Sequence, residues 1–161
     1  MEALVQLATG LQQSDFGGWA RGSAWAYPAA NLIHLLGLVL ILGGTALLDL
    51  RIIGIFRALP VAALSRAVLP LALAGLALMM ASGAVLFAAD AESLARSPLL
   101  RWKLMLILIA LINALAFRLL WNRAASAWDT VPAPQAARAM ALASLMLWLG
   151  IASAGRLIAY S

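Results

Sequence analysis

The sequence contains no cysteine, a single histidine and few charged residues, which make up 11% of its 161 positions. The absence of cysteine excludes disulfide bonds, thiolate zinc sites and cysteine-ligated iron–sulfur clusters. The eleven lysine and arginine residues are scattered and form no continuous run. This pattern argues against nucleic acid as a partner, because nucleic-acid-binding proteins concentrate basic residues in patches or stripes.

Apolar residues are abundant: they make up 65% of the chain, and the mean hydropathy is +1.00. Soluble domains are only about half apolar, so this protein needs lipid as part of its solvent. Four apolar runs reach the roughly 20 residues that a helix needs to cross a bilayer, namely residues 28–50, 67–88, 99–121 and 136–160. Their short connections predict one domain over 1–161, an all-α up-down bundle of four transmembrane helices.

A short amphipathic segment precedes these runs. Within residues 1–13 the apolar residues recur at helical spacing, namely Leu4, Leu7, Ala8 and Leu11. This pattern predicts a helix that lies in the membrane interface, and a frayed terminus is the alternative. The aromatic residues that follow are typical of a belt at the headgroups, namely Trp19, Trp25 and Tyr27.

The connections between the runs predict an orientation. The two connections on the side away from the termini, together with the adjoining helix ends, carry six lysine or arginine residues against five on the terminal side. Since basic residues are enriched in cytoplasmic loops, we expect both termini to lie outside the cell or in the periplasm.

His34 makes the terminal end of the bundle the candidate site. Asn31 lies one helical turn before it and on the same face. Lys103, Arg156 and the pair Met79–Met80 fall at similar depths on the other three helices. Ionisable residues inside a membrane are costly and usually face the bundle interior or a water-filled cavity. The bundle is therefore expected to gather an imidazole, an amide, two cations and two thioethers at one end.

Each of these residues also has a simpler structural interpretation. Lys103 and Arg156 are near enough to the helix ends to extend their charges to the headgroups. His34 can serve as a hydrogen-bonded link between helices, and methionine is a general gap-filler in packing. At the opposite end, Asp49 and Arg118 are expected to form a structural ion pair.

Several segments resemble an uncharacterised family of small bacterial four-helix membrane proteins. The resemblance covers nearly the whole chain and rests on Trp25-Ala-Tyr-Pro, His34-Leu-Leu-Gly, Asp49-Leu-Arg-Ile-Ile-Gly54, Lys103 followed by Asn113-Ala-Leu-Ala-Phe, and Gly155-Arg-Leu-Ile-Ala-Tyr. It implies a bacterial inner membrane location. The family is a domain of unknown function, so the resemblance implies no reaction.

More distantly, a histidine in the first helix and a lysine that opens the third resemble the four-helix protoporphyrinogen oxidase that carries haem b, and the copper-resistance D-type membrane domain. This resemblance implies that His34 is an axial haem ligand and Lys103 an essential partner. The chain departs from the near family at two positions, where Asn31 replaces an acid and Arg118 replaces a second histidine. Ligation of one haem by two histidines of the same chain is therefore impossible.

Three functions remain open from the sequence. The first is a haem b protein, with Lys103 and Arg156 pairing with the propionates and Met79 or Met80 as a sixth ligand. In this hypothesis Gly37, Gly75 and Gly83 leave room for the macrocycle. The second is a transporter or channel for copper, another ion or protons, since imidazole and thioether ligands suit Cu(I). The third is a non-catalytic assembly subunit, whose small-residue stripes suit a homo-oligomer.

Overall fold

The computed structural model describes residues 2–158, and within this range every regular element is helical. The elements are α1 (Glu2–Gln13), α2 (Asp15–Gly22), α3 (Ala26–Ile53), α4 (Val61–Ala89), α5 (Ala91–Arg96), α6 (Pro98–Trp121) and α7 (Gln135–Ile158). A 3-10 helix, Ala125–Asp129, lies between α6 and α7. The prediction of an all-α protein is confirmed.

Four helices, α3, α4, α6 and α7, are long and apolar enough to cross a membrane, as predicted. The boundaries differ most at α4, which begins at Val61 and not at residue 67. The Val61 N–H is bonded 2.7 Å from Oδ1 of Asp129. This contact comes from a distant part of the chain and has no local sequence signal. The last two residues of the predicted span 136–160 lie outside the described residues.

The long helices turn most of their apolar residues outward. In the most apolar window of α6, only 6% of the residues are buried inside the protein, and the largest share among the four helices is 22%. Water-soluble monomers rarely leave apolar surfaces of this extent exposed. The arrangement is typical of helices that contact lipid.

The four long helices are not packed equally closely. In residues 2–158, α3 packs most tightly against α4, α7 packs against both α3 and α6, and α4 and α6 do not approach closely. The seam between α3 and α4 depends on Gly37 and Gly75. A Cβ on Gly75 would lie 2.7 Å from the Gly37 carbonyl oxygen. The two backbones are thus in direct contact.

Two buried clusters hold the bundle together. The central cluster draws a residue from each of three long helices and two from α7, namely Ile41, Ala72, Ala110, Trp148 and Ile151. The second lies at the end away from the termini, where Trp128 of the 3-10 helix packs against Val61 and Ala137. The helix ends at that side are therefore held by a loop as well as by one another.

The N-terminal region contains two helices, although the sequence predicts only one. Gly17, near the start of α2, is buried against the end of α1. A side chain is excluded there, because a Cβ would meet the backbone of Leu11 and Gln12. Gln12 accepts a hydrogen bond from the Glu92 N–H at 2.7 Å and so joins α1 to α5. Leu4 and Leu7 are 70% and 74% exposed. Helix α1 therefore directs apolar residues away from the protein, as an interfacial helix does.

Candidate functional site

His34 on α3 contacts Ser82 on α4 near the end of the bundle that carries α1, α2 and α5, which we call the terminal end. Nδ1 of His34 lies 3.0 Å from Oγ of Ser82. The Ser82 hydroxyl donates its proton to the Leu78 carbonyl, 2.6 Å away. Because a hydroxyl has only one proton, Nδ1 of His34 is the donor to Ser82 when that proton goes to the Leu78 carbonyl. Ser82 is 4% exposed, so this contact is buried within the bundle.

This hydrogen bond determines the tautomer of the imidazole. A neutral histidine that carries its proton on Nδ1 has a lone pair on Nε2. Metal-binding histidines are usually held in this way, with one ring nitrogen donating to the protein and the other ligating. His34 is partly buried, and its Nε2 has the electronic form required of a ligand or a proton acceptor.

Lys103 brings a positive charge from α6 to the same end of the bundle. A Cβ on Gly155 of α7 would lie 3.1 Å from Nζ of Lys103, so the ammonium group rests against the α7 backbone. Lys103 is close enough to His34 for an electrostatic interaction. Among residues 2–158 it has no ion pair. A partly buried cation without a carboxylate partner is suited to an anionic ligand.

Glycines make room for both polar side chains. A Cβ on Gly155 would crowd Nζ of Lys103, whereas one on Gly83 would lie 3.4 Å from Cε1 of His34, an ordinary contact distance. The junction thus takes one residue from each long helix: His34, Ser82, Lys103 and Gly155. We call these four residues the His34 site.

The other residues predicted for the site are exposed or pack in the core. Met80 is 69% exposed on the outer surface of α4, and Asn31 and Arg156 are also exposed. Met79 is partly buried and packs against the central cluster. The two methionines therefore do not face His34 together, which removes the paired thioethers from the copper hypothesis.

The predicted ion pair between Asp49 and Arg118 is not among the ion pairs of residues 2–158. Among residues 2–158 the ion pairs are Arg51–Asp129 and Arg96–Glu92. Arg118 is exposed on α6, a helix that does not pack closely against α3. Asp49 is 8% exposed; the Ser144 hydroxyl is within hydrogen-bonding reach, and Oδ2 has no partner.

The sequence did not predict the polar junction at the opposite end of the bundle. Arg51 is 5% exposed, and its Nη2 lies 3.3 Å from Oδ1 of Asp129 and 3.3 Å from the Trp128 carbonyl oxygen. Its Nε donates to the Leu59 carbonyl. The available signal was that Arg51 and Asp129 both follow spans that end on this side. Charge alone did not distinguish this pairing from Asp49–Arg118.

No protein family model matches the sequence, and neither characterised proteins nor solved structures show significant similarity to it.

Proposed function

We propose that this is an integral membrane protein that binds haem b through Nε2 of His34 and serves in one-electron redox chemistry. The observation that carries the proposal is the contact of Nδ1 of His34 with the buried Ser82 hydroxyl, which itself lies 2.6 Å from the Leu78 carbonyl oxygen. It supports the neutral tautomer in which Nε2 has a free lone pair, the form that ligates haem iron.

A single imidazole suits this cofactor better than it suits a free metal ion. Within residues 2–158 no group of three or more histidine, cysteine, aspartate or glutamate side chains is placed to hold a metal. A porphyrin already supplies four nitrogen ligands, so the protein needs to add only one or two axial ligands. The haem itself supplies the electron transfer, and the protein orients it and tunes its surroundings.

Lys103 fits the propionate groups of haem. Its ammonium group is partly buried and without an ion pair among the described residues. It lies at the same end of the bundle as His34 and interacts with it electrostatically. A propionate carboxylate would compensate this charge. Lys103 lies about one turn from the start of α6, near the expected depth of the headgroups.

The glycines that the sequence suggested would leave room for the macrocycle are in contact with neighbouring groups of the protein. Gly37 and Gly75 bring the α3 and α4 backbones into direct contact, and Gly83 packs against the imidazole itself. These glycines serve helix packing. In the described chain α4 and α6 do not approach each other closely, which leaves this side of the bundle the more open one for the proposed haem. A flat apolar cofactor would enter there from the lipid.

The proposal extends to family and location. The resemblance to small bacterial four-helix membrane proteins, and through it to haem b oxidases, supports a place in the bacterial inner membrane. The positive-inside rule supports an orientation with both termini in the periplasm.

The test is the absorption spectrum of the full-length protein, purified in mild detergent from haem-supplemented cells. We expect a Soret band and, after reduction with dithionite, sharp α and β bands. His34→Ala should lose these bands while it retains the helical content of the wild type. Asn31→Ala, a change at an exposed position on the same helix, should keep them.

A colourless wild-type protein from haem-supplemented cells would overturn the proposal. The alternatives would then be ion transport, tested by elemental analysis, and a role as an assembly subunit. Bands that persist in His34→Ala would show that haem binds at another place.

A further inference from the structure

A second site lies at the opposite end of the bundle, about as far from His34 as the helices allow. There a cleft of about 160 Å³ opens between the end of α3 and the segment 128–133 that follows the 3-10 helix. Three arginines line it, namely Arg51, Arg57 and Arg138. Arg51 is buried and bonded to Leu59, Trp128 and Asp129. Arg57 and Arg138 are exposed.

Arg57 and Arg138 converge on the end of α3. Nε and Nη2 of Arg138 donate to the Ile53 carbonyl at 3.0 and 2.6 Å, and Nε of Arg57 donates to the Gly54 carbonyl at 3.0 Å. The carbonyl groups at a helix C-terminus attract cations. A Cβ on Gly54 would have Nη2 of Arg57 at 3.4 Å and Nη2 of Arg138 at 3.7 Å. The two guanidinium groups therefore border the same small space beside Gly54.

Gly54 keeps this space open. It has a φ of 110°, a left-handed conformation that glycine adopts without steric cost. The same residue ends α3, so the chain turns where the two arginines meet.

The positive charge of the cleft is not balanced by the described residues. Its one acidic residue, Asp129, already pairs with Arg51 and accepts the Val61 N–H. Each guanidinium has five N–H donors, and the contacts with Ile53 and Gly54 leave donors on both Arg57 and Arg138. Two adjacent guanidinium groups with spare donors match the oxygens of a phosphate group.

Apolar residues beside the cleft favour a lipid phosphate over a free one. Ile55 and Phe56, between Gly54 and Arg57, are 61% and 42% exposed, and Val131 on the cleft wall is 52% exposed. The cleft is at the level where a membrane-spanning α3 ends. Basic pockets at this level bind anionic headgroups. We propose that Arg57 and Arg138 bind the phosphate of an anionic phospholipid whose acyl chains lie along the adjoining apolar residues.

The proposal does not depend on haem and is tested with purified full-length protein in mild detergent. Phosphatidylglycerol, phosphatidylcholine or inorganic phosphate is added, and lipid binding is counted by native mass spectrometry beside the shift in melting temperature. We expect phosphatidylglycerol to bind and stabilise the protein, and phosphatidylcholine to bind at least several-fold more weakly. In Arg57→Gln with Arg138→Gln, affinity for phosphatidylglycerol should fall roughly tenfold.

Arg66→Gln with Arg123→Gln is the matched control. It removes the same charge from two exposed arginines on this side of the bundle that do not line the cleft, and it should bind phosphatidylglycerol as the wild type does. If the glutamine variant does not fold, Arg57→Lys with Arg138→Lys is used instead. It retains the charge but not the forked arrangement of guanidinium N–H donors, and it should still bind phosphatidylglycerol more weakly than the wild type does.

Three results would overturn the proposal. They are equal binding of phosphatidylcholine, an unchanged affinity in the folded cleft variant, and an equal loss in the control pair. Stabilisation by inorganic phosphate alone, equal to that by phosphatidylglycerol, would assign the cleft to free phosphate and so reject the lipid.

Discussion

At the residue scale, the polar side chains inside the bundle are accommodated by glycines of neighbouring helices. Gly83 faces the imidazole of His34, and Gly155 faces the ammonium group of Lys103. A methyl group at Gly155 would crowd the ammonium nitrogen at 3.1 Å, whereas one at Gly83 would make an ordinary contact of 3.4 Å with the imidazole. The pairing explains how a bulky ring and a long cation remain inside the bundle.

Asp49 differs from the other buried polar residues because its carboxyl group lacks a full set of partners. Oδ2 is buried without a hydrogen bond, and a buried charge without a partner is destabilising. We predict that Asp49→Asn, which keeps the shape and removes the charge, leaves stability unchanged or raises it by about 1 kcal/mol. Thermal unfolding in detergent measures this effect.

Asp129→Asn serves as the comparison, because it removes a charge that has partners. It weakens the contacts with Arg51 and Val61 and should lower stability by about 1–3 kcal/mol, a range kept modest since the Asp129 side chain is 35% exposed. A large loss of stability in Asp49→Asn would show that its carboxylate is needed.

The residues that form the His34 site could be predicted from the sequence only in part. A lone histidine and a lysine in apolar runs are visible, and antiparallel helices place them at one end. The roles of Ser82 and Gly155 depend on which faces of α4 and α7 turn inward. The sequence of a uniformly apolar helix does not show which face turns inward, since lipid-facing and buried residues are chemically alike.

At the element scale, the α3–α4 pair is the tightest unit of the bundle. Gly37 and Gly75 bring the two backbones together, and Gly44 of α3 lies against Val68 of α4. Small residues of this kind drive association of helices in lipid, where van der Waals packing replaces the hydrophobic effect.

We predict that Gly75→Ala destabilises the protein by roughly 1–3 kcal/mol, the usual cost of overpacking. Its new methyl group would lie 2.7 Å from the Gly37 carbonyl oxygen and 2.8 Å from the Ile41 nitrogen, and backbone atoms cannot easily move away. Thermal unfolding in detergent, followed by circular dichroism, is the measurement.

Gly43→Ala is the control on α3, since a Cβ there has nothing within 4 Å. It should be neutral or slightly stabilising, because alanine favours helix more than glycine does. Equal effects of the two substitutions would contradict the close α3–α4 contact.

The presence of the four long helices could be predicted from the sequence. The positions of their ends, and which helices pack together, could not. Apolar runs of sufficient length predicted α3, α4, α6 and α7. The early start of α4 depends on Asp129, which is 68 residues away. The separate helix α2 begins after its N-cap residue Ser14, and its close approach to α1 requires Gly17, where a Cβ would meet the backbone of Leu11 and Gln12.

At the scale of the whole molecule, the chain places different chemistry at the two ends of the bundle. The terminal end carries α1, α2, α5 and the His34 site. The opposite end carries the Arg51–Asp129 junction and the cleft of Arg57 and Arg138. An even number of spans puts the N-terminal helices and the α5 connection on the same side of a membrane.

The proposed orientation gives a labelling prediction that the absence of cysteine makes simple to test. Gln13→Cys and Asn122→Cys each introduce one thiol at an exposed position, at opposite ends of the bundle. A membrane-impermeant maleimide that reaches the periplasm should label Gln13→Cys in intact cells and Asn122→Cys only after lysis. The reverse pattern would show that the termini face the cytoplasm.

Nitrogen NMR tests most directly whether Nε2 of His34 is unprotonated and able to act as a ligand. Since the chain has one histidine, ¹⁵N-histidine labelling reports on His34 alone in protein that retains its native sequence. We predict that, in haem-free protein in lipid bilayers at a pH where the ring is neutral, Nδ1 is protonated and Nε2 is not. Ser82→Ala should weaken this preference. A proton found on Nε2 of the wild type would contradict this prediction, because that nitrogen could then bind iron only after losing its proton.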